Sequence, residues 1–590
     1  MKNYINLLTR ENNKHLILFI ILNMILVFAE TFSIALIPLF IDFVISPEPI
    51  LPNYLTFFEN FLGAKDKNDL LNFGIIFFTT IFLIKNFFYM SVIFYQASLK
   101  KKFNYYLKKK FLKLYIFAPF ETMKTYNTSE ILRNTDTEAQ NYVTNFFDIL
   151  KFSKDFLLLL AIFFLLLVVD TYSTIIALIF LIFCIILYVL VFYNYLNQLG
   201  LRRLRTVNAV YQWINQTCGA IKEIKITKKE SKVLENFSKK LDIFEQSKKI
   251  TEIISALPAA LFETVFVIII LLLIKFIAYT DSISSLPSLS LYIVAFIRLL
   301  PIVSRVGSSI STLRSYYPSV QLLNNEINKL EKYSRENNEL NNSSKEKELV
   351  SYKKDFELRD MSFKYEDSDQ EIFKNFDFKI IKGKSVAFLG KSGSGKTTLI
   401  NIICGLLKPT NGQILVDGKS VNEKITGWQQ NIGLISQENY LLDDTLENNI
   451  IFLNNKLSID KKRLDDAIFY SGVSDFLGEL KHGLNTKIGE RGSILSSGQI
   501  QRVALARLLY RDPKVLVLDE FTNSLDPSNE NFILEKLKLL QTKKNKTLIV
   551  ISHKLKPLKI CDEIIILDKG KISEKFNYPD FFNKYNLLYE

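Results

Sequence analysis

The sequence predicts a multidomain membrane protein in which an all-α transmembrane domain of six helices is followed by an α/β domain with a largely parallel sheet. Up to about residue 315 the chain contains six long apolar runs, whereas beyond residue 351 short β-rich runs alternate with helical stretches. The composition agrees, because 590 residues with 48% hydrophobic residues and a mean hydropathy of +0.14 are too apolar for an ordinary soluble protein.

Each apolar run has about 20 residues or more, which is enough to cross a bilayer. Lys and Arg are concentrated after the second and fourth runs, so the positive-inside bias places these segments and both termini in the cytoplasm. We predict a transmembrane domain at 1–333 with long cytoplasmic helical extensions, a polar linker at 334–351 and a second domain at 352–590. The runs lie near residues 16–45, 70–96, 147–169, 172–195, 253–278 and 288–310.

The charge and the cysteines narrow the function classes. A net charge of +14 is often a sign of nucleic-acid binding, but membrane proteins also carry excess Lys and Arg in their cytoplasmic loops. We therefore attribute the charge to these loops and expect no nucleic-acid partner. The four cysteines show no CxxC pair and no metal-ligand spacing, so we expect neither disulfides nor a zinc site. The first apolar run is too long for a signal-peptide core and is interpreted as a retained span.

The strand-like run SVAFL is followed by GKSGSGKTT at residues 390–398 and then by a helical stretch. This order is typical of the phosphate-binding loop of a P-loop NTPase, in which glycines let backbone N–H groups surround the phosphates of ATP. Lys396 is expected to reach the β and γ phosphates, and Thr397 to bind Mg²⁺. The other residues expected to hold the nucleotide are Gly390, Lys391, Ser392, Gly393, Ser394, Gly395 and Thr398.

A second element, VLVLDE at 515–520, is an apolar run that ends in two carboxylates. Asp519 is predicted to hold Mg²⁺, directly or through water, and Glu520 to act as the general base for the attacking water. Taken alone, the element could equally be a buried strand capped by solvated acids. Its occurrence in the same domain as the phosphate-binding loop favours ATP hydrolysis.

The stretch LSSGQIQR at 495–502 lies between these two elements, and with it the sequence resembles the ATP-binding cassette (ABC) transporter family along the whole chain. The resemblance implies that Tyr365 in SFKY stacks on adenine. It implies that Gln437 in LISQE links ATP and its Mg²⁺ to the membrane domain, and that His553 in VISHK senses the γ phosphate. Two further matches are GERG at 489–492, a short loop found in exporters, and SLD at 524–526, a loop that crosses the interface between nucleotide domains.

In that family the signature stretch of one subunit completes the ATP site of the other. The resemblance therefore implies that Ser496, Gly498 and Gln499 face the nucleotide bound to Lys396 of a second copy. The usual LSGGQ has glycine where this chain has Ser497, and the added Cβ could crowd a close backbone approach. One cassette and six spans make half a transporter, so we expect a homodimer with two active sites, with a heterodimer as the alternative.

In this family, exporters carry the membrane domain before the cassette in a single chain, and this chain has the same order. Lys85, Arg298 and Arg305 lie within apolar runs, where a cation costs roughly 2.5–3.5 kcal/mol on insertion scales and therefore needs a water-filled cavity or a counter-charge. Glu30 and Glu263 are the acids considered as partners. The three cations are predicted either to form ion pairs without a substrate role or to make a basic stripe for an anionic headgroup.

A closer resemblance favours the basic stripe. ETFSIALIPLFI at 30–41, NTSEIL at 127–132, GLRR at 200–203 and RLLPIVSR at 298–305 are similar to bacterial lipid-linked oligosaccharide flippases of the PglK type. This implies ATP-driven flipping of an undecaprenyl-pyrophosphate-linked oligosaccharide or a related glycolipid across the bacterial cytoplasmic (inner) membrane, with the cassette in the cytoplasm. It also implies an external helix at 53–62.

One departure separates this chain from those flippases. Pro258 is followed by two alanines where the flippases can show an arginine, so the cavity could be less basic or recognise a different headgroup. Two alternatives stay open: an exporter of peptides or hydrophobic drugs, and a nucleotide-gated membrane regulator that binds ATP without needing to hydrolyse it.

Overall fold

The structure, a computed structural model, describes residues 13–45, 67–169, 171–280, 286–341, 350–366, 368–453 and 459–585. Its contacts divide the chain into two compact units. The first contains Met1–Ala118 and Met123–Ser334, and the second contains Pro119–Thr122 and Arg335–Glu590.

In the part of the chain before the linker, the described residues form helices joined by short turns. A π-helical turn, Asn134–Glu138, separates two of the helices, and such turns occur often at functional positions. In chain order the helices are α1 (Asn13–Ile45), α2 (Lys67–Ile116), α3 (Phe120–Thr125), α4 (Thr128–Arg133), α5 (Ala139–Val169), α6 (Thr171–Gly219), α7 (Ile221–Thr227), α8 (Glu230–Thr280) and α9 (Leu286–Asn341).

Four helical segments within the described residues are long and apolar enough to cross a membrane: Asn13–Leu36, Gly74–Ile116, Ile182–Gly219 and Glu230–Ile268. They overlap the first, second, fourth and fifth apolar runs. The third and sixth runs lie in helices α5 and α9. The helical membrane domain is thus confirmed, with four of its six predicted spans identified, whereas the predicted external helix at 53–62 lies outside the described residues.

Small residues bring two of the membrane helices together. Gly307 of α9 lies so close to Pro258 of α8 that a Cβ on Gly307 would stand 2.4 Å from the Pro258 Cβ. Pro258 and Pro301 are both accommodated inside helices. Pro258, which precedes the two alanines that depart from the flippases, is therefore a packing residue at the α8–α9 contact.

The second unit contains two sheets. A four-stranded antiparallel sheet has the order β2-β1-β4-β5, and a six-stranded sheet has the order β10-β9-β3-β8-β7-β6. The strands are β1 (Asp355–Phe363), β2 (Phe373–Ile381), β3 (Ser385–Leu389), β4 (Asn411–Val416), β5 (Lys419–Ser420), β6 (Ile432–Ile435), β7 (Val515–Asp519), β8 (Thr547–Ile551), β9 (Glu563–Asp568) and β10 (Lys571–Phe576).

The helices of this unit follow the alternating pattern expected from the sequence. They are α10 (Lys396–Ile403), α11 (Ile425–Gln429), α12 (Leu446–Ile451), α13 (Lys461–Ser471), α14 (Ser474–Leu477), α15 (Ser497–Tyr510), α16 (Pro527–Lys544), α17 (Leu555–Leu558) and α18 (Tyr578–Tyr585). Short 3₁₀ turns occur at Gly483–Asn485 and Glu490–Gly492.

The larger sheet positions the site. Strands β3, β6, β7, β8 and β9 are mutually parallel in their pairings, and every residue of β3 and β8 is buried. Continuous apolar runs are typical of parallel strands covered on both faces. The carboxyl ends of parallel strands meet at one edge, which is where open α/β sheets bind ligands.

Candidate functional site

The phosphate-binding loop connects β3 to α10 as the sequence predicted. Gly390, Gly393 and Gly395 have φ values of 155°, 80° and 101°, all in the region that favours glycine. A Cβ at Gly390 would lie 2.3 Å from the carbonyl oxygen of Leu567, so glycine is required there for space as well as for conformation. The loop ends at the N-terminus of α10, where backbone N–H groups are available to an anion.

Lys396 is the first residue of α10 and is buried. Its Nζ donates hydrogen bonds to the carbonyl oxygens of Gly390 at 2.6 Å and Lys391 at 3.0 Å. Burial lowers the pKa of the Lys396 ammonium, an effect opposed by the nearby carboxylates of Glu520 and Asp519. The lysine is thus held across the loop with both acids of the second motif within electrostatic range.

The two carboxylates stand at the end of β7 in different environments. Burial raises the pKa of Asp519, and the neighbouring charge of Glu520 raises it further, while Lys396 and His553 lower it. Glu520 has φ 48°, an uncommon conformation for a residue with a side chain, and its N–H donates to the carbonyl oxygen of Ile551. The chain thus turns sharply after Asp519 and directs the two acids differently.

Three side chains from separate segments meet the Glu520 carboxylate. Gln437, which follows β6, donates from Nε2 to Oε2 at 3.1 Å, and Asn523 donates from Nδ2 to the same oxygen at 2.9 Å. His553, which follows β8, places Nε2 3.3 Å from Oε1. The structure thus brings together Gln437, Glu520 and His553, which the sequence assigned to one site, and adds Asn523, which it did not.

Tyr365 lies just beyond β1, beside the start of α10. Its hydroxyl is 3.2 Å from Thr398 Oγ1, and its ring meets that of Phe363 edge to face with 5.0 Å between centroids. The tyrosine is only partly buried, so one part of the ring packs on the cassette core while the rest is open to solvent.

The signature residues form a separate cluster at the N-terminus of α15. Ser496 and Gln499 make a reciprocal capping box: Ser496 Oγ accepts from the Gln499 N–H at 3.2 Å, and Gln499 Oε1 accepts from the Ser496 N–H at 2.9 Å. A Cβ at Gly498 would lie 3.1 Å from the carbonyl oxygen of Ser524. The signature therefore packs against the SLD loop.

Ser497 occupies the position at which the chain departs from LSGGQ. It is the first residue of α15 and is exposed, a place where a Cβ is accommodated without strain. The exposed serine is therefore accommodated at the start of α15, in contrast to Gly498, where space is tight.

The loop and its surroundings fit a magnesium nucleotide. Ser394 Oγ is buried without a hydrogen-bond partner among the described residues, as expected of a group that awaits a ligand. The Thr397 hydroxyl and the Asp519 carboxylate are oxygen donors of the kind Mg²⁺ prefers. Gln437 adds its Oε1, since its Nε2 is used by Glu520. These are the three residues predicted as metal ligands.

The membrane-domain cations are less completely described. Lys85 of α2 lies over the ring of Phe82, with Nζ 5.1 Å from the centroid. Arg298 belongs to α9, but its side chain lies outside the described part of the structure. Arg305 of α9 donates from Nε to Asp155 Oδ2 of α5 at 3.1 Å.

The counter-charge of Arg305 was missed by the sequence reasoning, which considered Glu30 and Glu263. Asp155 stands beside Lys154 inside the third apolar run, 147–169, where the pair interrupts the apolar residues. A usable signal was present, because an acid directly before the apolar stretch 156–169 is costly unless it is paired. Which helix supplies the pair follows only from packing.

Three comparisons place the chain among known proteins. Residues 373–523 match the family model described as ABC transporter. A Staphylococcus aureus protein whose name assigns it provisionally to multidrug export, as an ATP-binding/permease protein, is 38% identical over 225 residues, which cover 38% of each chain. The ATP-dependent lipid A-core flippase of Pectobacterium atrosepticum is 36% identical over 233 residues, covering 39% of this chain and 40% of that protein.

The likeness in structure extends further than the likeness in sequence. A bacterial Atm1-family ABC exporter with ATP bound superposes with a TM-score of 0.76 at 19% identity, covering 98% of this chain and 97% of that one. The sequence matches to the two curated relatives span about two fifths of their length, whereas the fold is shared almost end to end. The chain thus has the fold of an ABC exporter, in which a helical membrane domain precedes an α/β domain, and residues 373–523 of that second domain match the ABC transporter model.

Proposed function

We propose that the chain is one half of an ATP-driven exporter of the bacterial inner membrane, acting as a homodimer with Mg²⁺ as cofactor. The observation that carries this proposal is the carboxylate of Glu520, held at the end of β7 by Gln437, Asn523 and His553 beside the phosphate-binding loop. A carboxylate fixed in this way is suited to orient a water and accept its proton.

The other predicted residues of the cassette would bind the nucleotide and its Mg²⁺. Lys396 and the loop 390–398 would hold the phosphates, and Tyr365 the adenine. Mg²⁺, when bound, neutralises phosphate charge, and Thr397, Asp519 and Gln437 would hold it. Ser496, Gly498 and Gln499 would meet the nucleotide of the second subunit.

For the substrate we propose a lipid-linked oligosaccharide carried on undecaprenyl pyrophosphate, or a related glycolipid. The supporting observation is Arg305, a cation in a membrane helix that remains 37% exposed despite its contact with Asp155. The name of the Pectobacterium relative, a lipid A-core flippase, favours the same class of cargo. Lys85 and Arg298 are proposed to extend the site along the membrane domain.

Export of peptides or hydrophobic drugs is the second candidate, and the name of the Staphylococcus relative favours it. It predicts stimulation of ATP hydrolysis by such compounds and indifference to Arg298 and Arg305. A nucleotide-gated regulator would keep its function when Glu520 is replaced by Gln, whereas a pump would stop.

The test is ATP-dependent translocation of undecaprenyl-pyrophosphate-linked oligosaccharide in proteoliposomes. We expect transport by the wild type, none by Glu520→Gln, and none by Arg298→Ala/Arg305→Ala despite continued ATP hydrolysis. Lys275→Gln, which removes a different cation of the membrane domain, is the control and should transport normally. A wild type that hydrolyses ATP but leaves this lipid in place would direct attention to peptides and drugs.

A further inference from the structure

A fully buried carboxylate lies between two cations in the membrane domain. Asp155 of α5 has no exposed side-chain surface. Its Oδ2 accepts the hydrogen bond from Arg305 Nε at 3.1 Å, and Lys154 Nζ stands 3.4 Å from its Oδ1. Oδ1 has no hydrogen-bond partner among the described residues, so the carboxylate is incompletely satisfied.

The contact belongs to a polar seam between α5 and α9. The Thr312 hydroxyl of α9 lies beside the Asp148 carboxylate of α5. Seven residues later in α5 and seven residues earlier in α9, Asp155 accepts the hydrogen bond from Arg305. Seven residues are two helical turns, so both acids lie on one face of α5 and both partners on one face of α9. The seam runs inward from the cytoplasmic end of the two helices and ends at Asp155.

The surroundings of this last contact are apolar. Residues on either side of it, from both helices, belong to one buried hydrophobic cluster that includes Leu158, Leu159, Ile302, Val303 and Val306. Charges placed next to such a cluster are poorly solvated and need neutralisation. Two cations share a single carboxylate here, which leaves one positive charge in excess.

The geometry leaves part of Arg305 available. Asp155 contacts the guanidinium through Nε, so the edge formed by the two terminal amino groups is not used by this acid. That edge can donate two parallel hydrogen bonds to a phosphate. By helical rise, Arg305 lies about 8 Å from the cytoplasmic end of the sixth apolar run, a depth close to the inner leaflet headgroups.

We propose that Arg305 and Lys154 form a binding site for a lipid phosphate or pyrophosphate headgroup, with Asp155 as the positioning residue that turns the free edge of Arg305 toward it. This inference rests on the proposed function and adds two residues to it. The incoming anion neutralises the excess charge, and Asp155 keeps the arginine from rotating away between transport cycles.

The opposite role for Asp155 gives an opposite result. If the acid were a competitor that blocks Arg305, its removal would strengthen headgroup binding. A purely structural ion pair would leave binding unchanged in any variant that folds.

The experiment is native mass spectrometry of the full-length protein in detergent, titrated with undecaprenyl pyrophosphate, phosphatidic acid and phosphatidylcholine. Variants are Asp155→Asn, Lys154→Gln, Arg305→Gln and the charge-neutral pair Asp155→Asn/Arg305→Gln, with Lys275→Gln as the matched control. The double variant removes both charges of the Asp155–Arg305 contact, so neither is left buried without its partner. It therefore keeps the test usable if a single variant fails to fold. Size-exclusion elution and thermal unfolding report the integrity of each variant.

We expect the wild type and Lys275→Gln to bind the pyrophosphate lipid well above phosphatidylcholine. Binding should fall about tenfold or more in Asp155→Asn, Lys154→Gln, Arg305→Gln and the neutral pair. Equal losses for phosphatidic acid would assign the site to phosphate esters in general, and losses confined to undecaprenyl pyrophosphate would assign it to the polyprenyl lipid.

Unchanged or tighter binding by Asp155→Asn overturns the positioning role, and unchanged binding by the neutral pair overturns the site. These outcomes differ from failure of the proposed function, in which the wild type binds the lipid through these residues but does not translocate it in proteoliposomes.

Discussion

Glu520 combines an uncommon backbone conformation with three side-chain contacts. A non-glycine residue at φ 48° costs of order 1 kcal/mol, which the surrounding structure must offset. The hydrogen bonds from Gln437 and Asn523 and the N–H bond to Ile551 do so. Backbone strain of this kind is common at functional sites, and here it orients the side chain of the proposed general base.

Glu520→Gln should reduce ATP hydrolysis by about 10²-fold or more while ATP binding is retained, because the amide cannot accept the proton of the attacking water. Phosphate release and equilibrium binding of a fluorescent ATP analogue measure the two properties separately. Glu563→Gln removes a carboxylate of β9 that pairs with Lys575 and should hydrolyse normally. Full hydrolysis by Glu520→Gln would remove the residue from the mechanism.

Asp526 caps the N-terminus of α16, and hydrogen bonds from Ser528 and Asn529 hold its pKa well below the usual range. A carboxyl whose folded pKa is depressed stabilises the fold above its unfolded pKa, near 3.8, and loses that contribution as the pH falls through the folded value. Wild type should therefore exceed Asp526→Ala in Tm at pH 7, with the difference shrinking below about pH 4. Asp526→Asn should retain most of the cap at neutral pH.

Thermal unfolding followed by circular dichroism between pH 7 and pH 3 measures this dependence. A difference between wild type and Asp526→Ala that stays constant across that range would show that the carboxylate charge is not the stabilising feature.

At the scale of elements, the small antiparallel sheet is anchored to the phosphate-binding helix by one tryptophan. Trp428 is fully buried, stacks on Phe356 with 5.0 Å between ring centroids, and donates from Nε1 to the carbonyl oxygen of Ile403 at 2.9 Å. Ile403 is the last residue of α10. The tryptophan thus links β1 to the end of the helix that begins at Lys396.

Trp428→Phe should destabilise the cassette by about 1–3 kcal/mol, because a buried carbonyl loses its donor and a smaller ring leaves a gap. Trp213→Phe is the natural control, since Trp213 is only half-buried and its bond to Val233 is longer, at 3.3 Å. Urea unfolding followed by circular dichroism compares the two. An equal loss in both variants would contradict the anchoring role of Trp428.

Element order and type were largely predictable because each signal is local. The glycine-rich loop between SVAFL and α10, the strand ending in Asp519 and the long apolar helices all appear where the sequence placed them. The contacts around Glu520 were only partly predictable. Gln437 and His553 were assigned by motif, whereas Asn523 lies in a turn whose sequence carries no distinguishing signal.

At the scale of the whole molecule, the signature cluster lies against the SLD loop of its own chain, and the proposed nucleotide site needs the signature of a second chain. Neither Lys396→Ala nor Gly498→Asp should hydrolyse ATP as a homodimer. Co-expressed, the two should recover about a quarter of wild-type hydrolysis, since half of randomly formed dimers are mixed and each retains one of two sites.

Phosphate release by the purified mixture of dimers, without selection for mixed dimers, checks this expectation. Co-expression of Lys396→Ala with Glu520→Gln is the control and should show no recovery. Lys396 and Glu520 would be supplied to a given site by the same chain, so each of the two sites of a mixed dimer would contain one defect. Absence of recovery with Gly498→Asp would argue that each chain carries a self-contained site.

The sequence by itself determined the two-part architecture and the fold class, and it predicted the nucleotide-site residues, because apolar length, strand periodicity and contiguous motifs are properties of neighbouring residues. The tertiary structure decided which residues oppose each other across helices and strands. It paired Arg305 with Asp155, 150 positions away, rather than with Glu30 or Glu263, and it brought Asn523 to Glu520. Such pairings depend on how helices pack and how strands are ordered, and a linear pattern does not contain that information.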